Sequence, residues 1–150
     1  MTVVILAAAA AFPMRAQGEP GAMLCGGIGA GERAALEREA RGADLRIEMF
    51  IARRGDYVAG ANVSVTPLDG AARGRSLRET ADGPLCYMKL PPGRYEIQGE
   101  FNGITRSARA VVPGHARHPV RVALAFPEET ARGGLGPEPT PQEREEAKTP

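Results

Sequence analysis

A chain of 150 residues with a formal net charge of +1 has room for one compact domain with extensions, and no strong field to draw nucleic acid or an anionic membrane. Aromatic residues make up 5% with no Trp, while Gly (19) and Pro (13) are plentiful. That balance asks for many turns or unstructured ends around a modest core.

The first predicted element is an export signal. Val3 to Phe12 is an unbroken apolar run of about ten residues, the length of a signal h-region and too short to span a bilayer. Ala16 and Gly18 then stand as the small pair before a cleavage site, with Ala16 a second candidate end. No Lys or Arg precedes the run, which fits either a true start further upstream or a weak signal. Residues 1–18 are therefore expected to be a signal peptide, which places the protein in the periplasm or outside the cell. Leu24 stands before Cys25 where lipid attachment needs a small residue, so a lipoprotein anchor is not expected.

Residues 19–43 read as a Gly-rich lead-in and a short helix. "GGIGAG" (Gly26 to Gly31) opens that helix as phosphate loops do, but lacks the following Lys-Ser/Thr, and no strand is expected before it. "GERAALEREARG" is built of strong helix formers, with Arg33, Glu37 and Arg41 spaced four apart for pairing. Leu36, Ala40 and Ala43 form a thin apolar stripe, and Gly42 supplies the stop.

From residue 44 the period changes to two. In "DLRIEMFIAR" Leu45, Ile47, Met49 and Ile51 alternate with Arg46, Glu48 and Phe50, the pattern of a half-buried strand. "RRGD" is a turn; its Arg-Gly-Asp matches an integrin-recognition tripeptide, but Gly-Asp is ordinary turn chemistry. A second strand follows, with Val63 and Val65 inward and Asn62, Ser64 and Thr66 outward. "RSLRET" reads as a polar edge strand, "ADGP" as a turn in which Asp-Gly favours positive φ, and "LCYMKL" as another strand. Pro91 and Pro92 close that strand because they cannot donate to a ladder, and Pro92-Gly93 suits a type II turn. Tyr95, Ile97 and Phe101 then point one way and Glu96, Gln98 and Glu100 the other, until Asn102-Gly103 signals a hairpin. "ITRSARAVV" and "PVRVALAF" complete about seven short strands separated by turn signals, the signature of an antiparallel sandwich. The domain is thus bounded at 44–126, with Leu45, Ile47, Val63, Val65, Leu90, Tyr95, Ile97, Val122 and Leu124 expected inward. Residues 127–150 are net negative, rich in Pro and nearly free of bulky apolar side chains; they read as a disordered acidic tail.

The run "DGPLCYMKLPPGRYEIQGEF", with its Leu-Pro-Pro-Gly-x-Tyr corner at Leu90 to Tyr95, resembles the carboxypeptidase regulatory-like family. The resemblance covers roughly Gly26 to Phe126 and extends to small exported bacterial proteins that carry this domain. It implies an all-β, seven-strand antiparallel prealbumin-like (transthyretin-like) sandwich with one short N-terminal helix. It also implies a non-catalytic accessory or interaction module.

Candidate chemistry is sparse. His115 and His118 are the two histidines, spaced to share one metal, but no Cys, Asp or Glu lies within several residues. Ser64, Ser76 and Ser107 sit in strands without a nucleophile elbow. Tyr57 and Tyr87 are candidates for stacking on sugar rings. Arg73, Arg75, Arg78, Arg106, Arg109, Arg117 and Arg121 are scattered over outward positions, as a solvated face or a mild contact surface for anions. Cys25 and Cys86 are an even pair in an exported chain, hence a disulfide candidate; Cys86 also shares its parity with Met88 and Leu90, as a small core residue would. The expectation is a non-enzymatic module of the bacterial envelope, without cofactor, that does not span the membrane and does not bind nucleic acid. Its partner is an unidentified protein or envelope polymer. The alternative is a small metal-dependent hydrolase built on the His115/His118 loop.

Overall fold

A computed structural model describes residues 22–69 and 76–132. The expected signal peptide, residues 70–75 with Arg73 and Arg75, and 133–150 of the expected tail lie outside them. The elements in chain order are β1 (Met23–Gly26), α1 (Ala30–Glu39), β2 (Leu45–Ile51), β3 (Asn62–Pro67), β4 (Leu77–Thr80), β5 (Leu85–Met88), β6 (Gly93–Phe101), β7 (Ile104–Val112) and β8 (Val120–Phe126). They form two four-stranded sheets, ordered β1-β5-β2-β8 and β4-β3-β6-β7.

Two expectations need correction. Among the described residues there are eight strands rather than seven, because Met23–Gly26 pairs with β5. Four residues are too few to show a period, so this strand exists through its partner. The pairing is also not antiparallel throughout: β2 and β8 run parallel over Leu45–Ile51 and Val120–Phe126. Alternation reports which face of a strand is dry and is blind to its direction.

The alternating apolar residues converge on one buried cluster. Leu45, Ile47 and Met49 of β2 and Val122, Leu124 and Phe126 of β8 come from one sheet; Val63, Val65, Tyr95 and Ile97 come from the other. All nine residues expected inward are buried. Burying each such Val, Leu or Ile side chain is worth about 1.5–3 kcal/mol. Gly99 is the exception in the inward row of β6: a Cβ there would lie 2.7 Å from Leu124 Cδ1 and 3.3 Å from Phe126 Cζ. Its missing side chain lets the large residues of β8 approach.

A second, smaller cluster explains β5. Leu36 and Ala40 of the α1 stripe pack on Leu85 and Tyr87, with Leu24 and Ala43 at the margin. The helix thus covers the face of β5 that looks away from the main core, and all four residues of the strand are buried. The helix ends earlier than the expected stop, at its C-cap Ala40, and Gly42, with φ of 80°, turns the chain toward β2.

The Leu-Pro-Pro-Gly corner is held by hydrogen bonds on either side. Leu90 N–H donates to Asp44 Oδ2 at 2.9 Å, and Tyr95 Oη donates back to the Pro91 carbonyl at 2.6 Å. Gly93 has φ of 157° and already pairs with Val112 in β6, so the type II turn, which asks for about +80° there, does not form. Burial holds the Tyr95 phenol above its usual range, so it stays a donor. Tyr95→Phe keeps the ring and removes the anchor; we expect a loss of about 1 kcal/mol in urea unfolding. An unchanged midpoint would show that the ring alone fixes the corner. Asn102 and Gly103, with φ of 48° and 79°, make the expected two-residue hairpin closed by Phe101 opposite Ile104.

Of the residues expected to form a tail, Glu128–Arg132 form a 3-10 turn. Thr130 is buried and its carbonyl accepts from Asn102 Nδ2 at 2.7 Å. This contact ties the chain after β8 to the β6–β7 hairpin.

Candidate binding face

Register sets the outward residues of the second sheet in rows that cross its strands. The first row is Thr80, Asn62, Glu100, Thr105, and the second is Arg78, Ser64, Gln98, Ser107. A third carries Thr66, Glu96 and Arg109, with Ser76 joined to Thr66 by a 2.8 Å hydroxyl contact. Neighbours in a row are roughly 4.8 Å apart, the strand spacing. The first two rows, apart from Ser107, line a depression of about 590 Å³. Thr80 Oγ1 donates to Asn62 Oδ1 at 2.9 Å and orients that carboxamide. Gln98, at the centre, is exposed.

The rows carry hydroxyl, carboxamide and charged groups, and the charges cancel. Arg78 and Arg109 offset Glu96 and Glu100; Glu79 and Arg106, exposed on the two edge strands, have the opposite parity and are not on the rows. Beyond the third row, Arg94 grips Asp69 through Nε at 2.9 Å, Nη2 at 2.8 Å and its backbone N–H at 3.0 Å. Those bonds hold the Asp69 carboxyl below the usual carboxylate range.

The residues singled out in the sequence are dispersed. Cys25 and Cys86 are opposite one another in the β1–β5 register, with Cα atoms 4.1 Å apart and their sulfurs joined. His115 and His118 are both exposed on the loop before β8. Among the described residues no group of three or more His, Cys, Asp or Glu is placed to hold a metal ion. Tyr87 is 5% exposed, and its burial pushes the phenol above its usual range; it is core and offers no platform. Tyr57 is 50% exposed, but the Arg33 guanidinium lies 4.5 Å from its ring centroid and donates to its hydroxyl at 3.1 Å. Arg54 and Asp56 of the Arg-Gly-Asp turn are paired with each other at 2.8 Å. A strand does precede "GGIGAG", contrary to expectation, yet no side-chain cap and no Lys-Ser/Thr follow at the start of α1. Ser64 and Ser107 belong to the polar face. Of the scattered arginines, Arg78 and Arg109 stand on its rows; Arg106, expected outward, lies opposite the inward Gly99 and is exposed only because β7 is an edge strand. Arg117 and Arg121 lie on the loop before β8 and on β8 itself.

The outward parity of Asn62, Ser64, Gln98 and Glu100 is visible in the alternation of their strands. Their assembly into one face is not, because it depends on which strands are neighbours. Among the described residues, no helix is long and apolar enough to cross a membrane. No protein-family model matches the chain, and no curated protein matches it.

Proposed function

We propose that this chain is a non-catalytic interaction module of the bacterial envelope, and that the polar face of the β4-β3-β6-β7 sheet is its contact surface. The observation that carries the reading is that face: rows of hydrogen-bonding side chains over a depression, charge-balanced, in a molecule whose other candidate groups are dispersed. In this reading the two sheets form a prealbumin-like sandwich akin to carboxypeptidase regulatory-like domains, exported to the periplasm or beyond. The shared core, the Leu90 to Tyr95 corner and the short helix α1 support it.

The test is retention of envelope material on immobilised protein. Gln98→Arg with Thr105→Arg places two long cations on exposed positions of the face without touching the core. We expect the wild type to retain a component that the double variant, with an unchanged melting temperature, retains at least fivefold less. Equal retention by both proteins would remove the face from the function.

A further inference from the structure

We infer that the partner of this face is an uncharged polyhydroxylated chain, a neutral polysaccharide lying across the strands. The inference rests on the reading of the face as the contact surface and adds the chemistry of what it contacts.

Charge comes first. Among the described residues the cations Arg78 and Arg109 and the anions Glu96 and Glu100 cancel on the rows, so the rows attract neither a polyanion nor a polycation over distance. Any affinity they have must come from short-range contacts. The side chains on offer are hydroxyls, carboxamides, carboxylates and guanidinium groups, all donors or acceptors for a hydroxyl. An apolar peptide would leave them unpaired, and each polar group buried without a partner opposes binding. A partner dense in hydroxyls satisfies them.

Spacing comes second. Crossing the sheet, a chain meets a new side chain every roughly 4.8 Å, close to the advance of one pyranose unit. Successive sugars can therefore each meet a polar side chain on β4, β3, β6 and β7. The adjacent row gives each sugar a second partner roughly 7 Å along the strand. Asn62 and Gln98 stand on neighbouring strands of the first two rows, where their carboxamides can donate to one hydroxyl and accept from the next.

Those rows bear no aromatic ring, and this sets the binding signature. Without stacking, one sugar exchanging water for two or three hydrogen bonds gains little. Several linked sugars add their contacts intramolecularly, so affinity climbs with chain length. Binding should also be indifferent to salt, since no net charge drives it.

Affinity electrophoresis measures all of this on the full protein. Native gels are cast with dextran, hydroxyethyl cellulose or glycol chitin, and with dextran sulfate as the charged control. The expected result is retardation by at least one neutral polymer, unchanged over an about tenfold rise in salt. The free monosaccharide should not reverse it, and longer oligosaccharides should. Asn62→Ala/Gln98→Ala should weaken retardation about tenfold with an unchanged melting temperature. Gln98→Arg alone is the second variant, should the first be destabilised. Retardation by none of the neutral polymers, or by dextran sulfate alone, overturns the inference, as does undiminished binding by both variants. If envelope material is retained through the face while no neutral polymer binds, the contact surface stands and its glycan chemistry falls.

Discussion

Cys25→Ala/Cys86→Ala is expected to lower stability by about 4 kcal/mol, because the bridge closes a loop across a sequence separation of 61 residues. A small domain has only about 5–15 kcal/mol in total, so the melting temperature should fall by roughly 20 °C. Ala is chosen over Ser because Cys86 is fully buried and a hydroxyl there would lack a partner. The loss should also be local. β1 is an edge strand of four residues, and α1 buries one residue of its own length, Leu36. Amides of Met23 to Glu39 should exchange much faster in the variant, while those of the β6–β7 hairpin follow the global stability. Thiol labelling of the purified wild type in denaturant should find no reactive cysteine until a reductant is added. Two labelled thiols beforehand, or a melting temperature unmoved by the double substitution, would show that the bridge does not hold β1 in solution.

How much of this is legible in the sequence depends on which residues make contact locally. Ile47, Val65 and Ile97 betray their strands because one face of each is dry and the other wet, so apolar residues recur every second position. Asn102-Gly103 betrays the hairpin because few residue pairs accept positive φ twice in succession. β5 is recognisable as a strand, but its full burial is not. Leu85 and Tyr87 have the outward parity, and they are covered only because Leu36 and Ala40 arrive from a helix some fifty residues earlier in the sequence. The parallel β2–β8 pairing is hidden for a related reason, since the direction of β8 is set by the route from β7 through the loop at 113–119. The polar face is legible residue by residue. Its rows are not, because Asn62 and Gln98 become neighbours only once β3 and β6 are known to pair.

Gly83→Ala should be among the most damaging single substitutions outside the core, although it adds one methyl group to what reads as a turn. The Asp82-Gly83 pair suggests a glycine that serves positive φ. In the structure Gly83 answers a different need: its φ is not in the positive region, and its Cα faces the backbone of Gly26. A Cβ at position 83 would stand 2.8 Å from Gly26 Cα and closer still to the Gly26 carbonyl carbon and oxygen. Those atoms are main chain, so no rotamer change relieves the clash; the end of β1 must move. It is held in place by the pairing of Gly26 with Leu85 and by the Cys25–Cys86 bridge one residue away. Overpacking of this kind costs about 1–3 kcal/mol, and the constraint argues for the upper end. The melting temperature should fall by about 10 °C or more. A double-mutant cycle separates the clash from any intrinsic preference for Gly. In the Cys25→Ala/Cys86→Ala background β1 is free to shift, so Gly83→Ala should cost at least about 1 kcal/mol less than in the wild type, within the usual range for coupled neighbours. An identical cost in both backgrounds would mean that β1 is not what Gly83 makes room for, and a negligible cost in the wild type would mean that the two backbones do not meet.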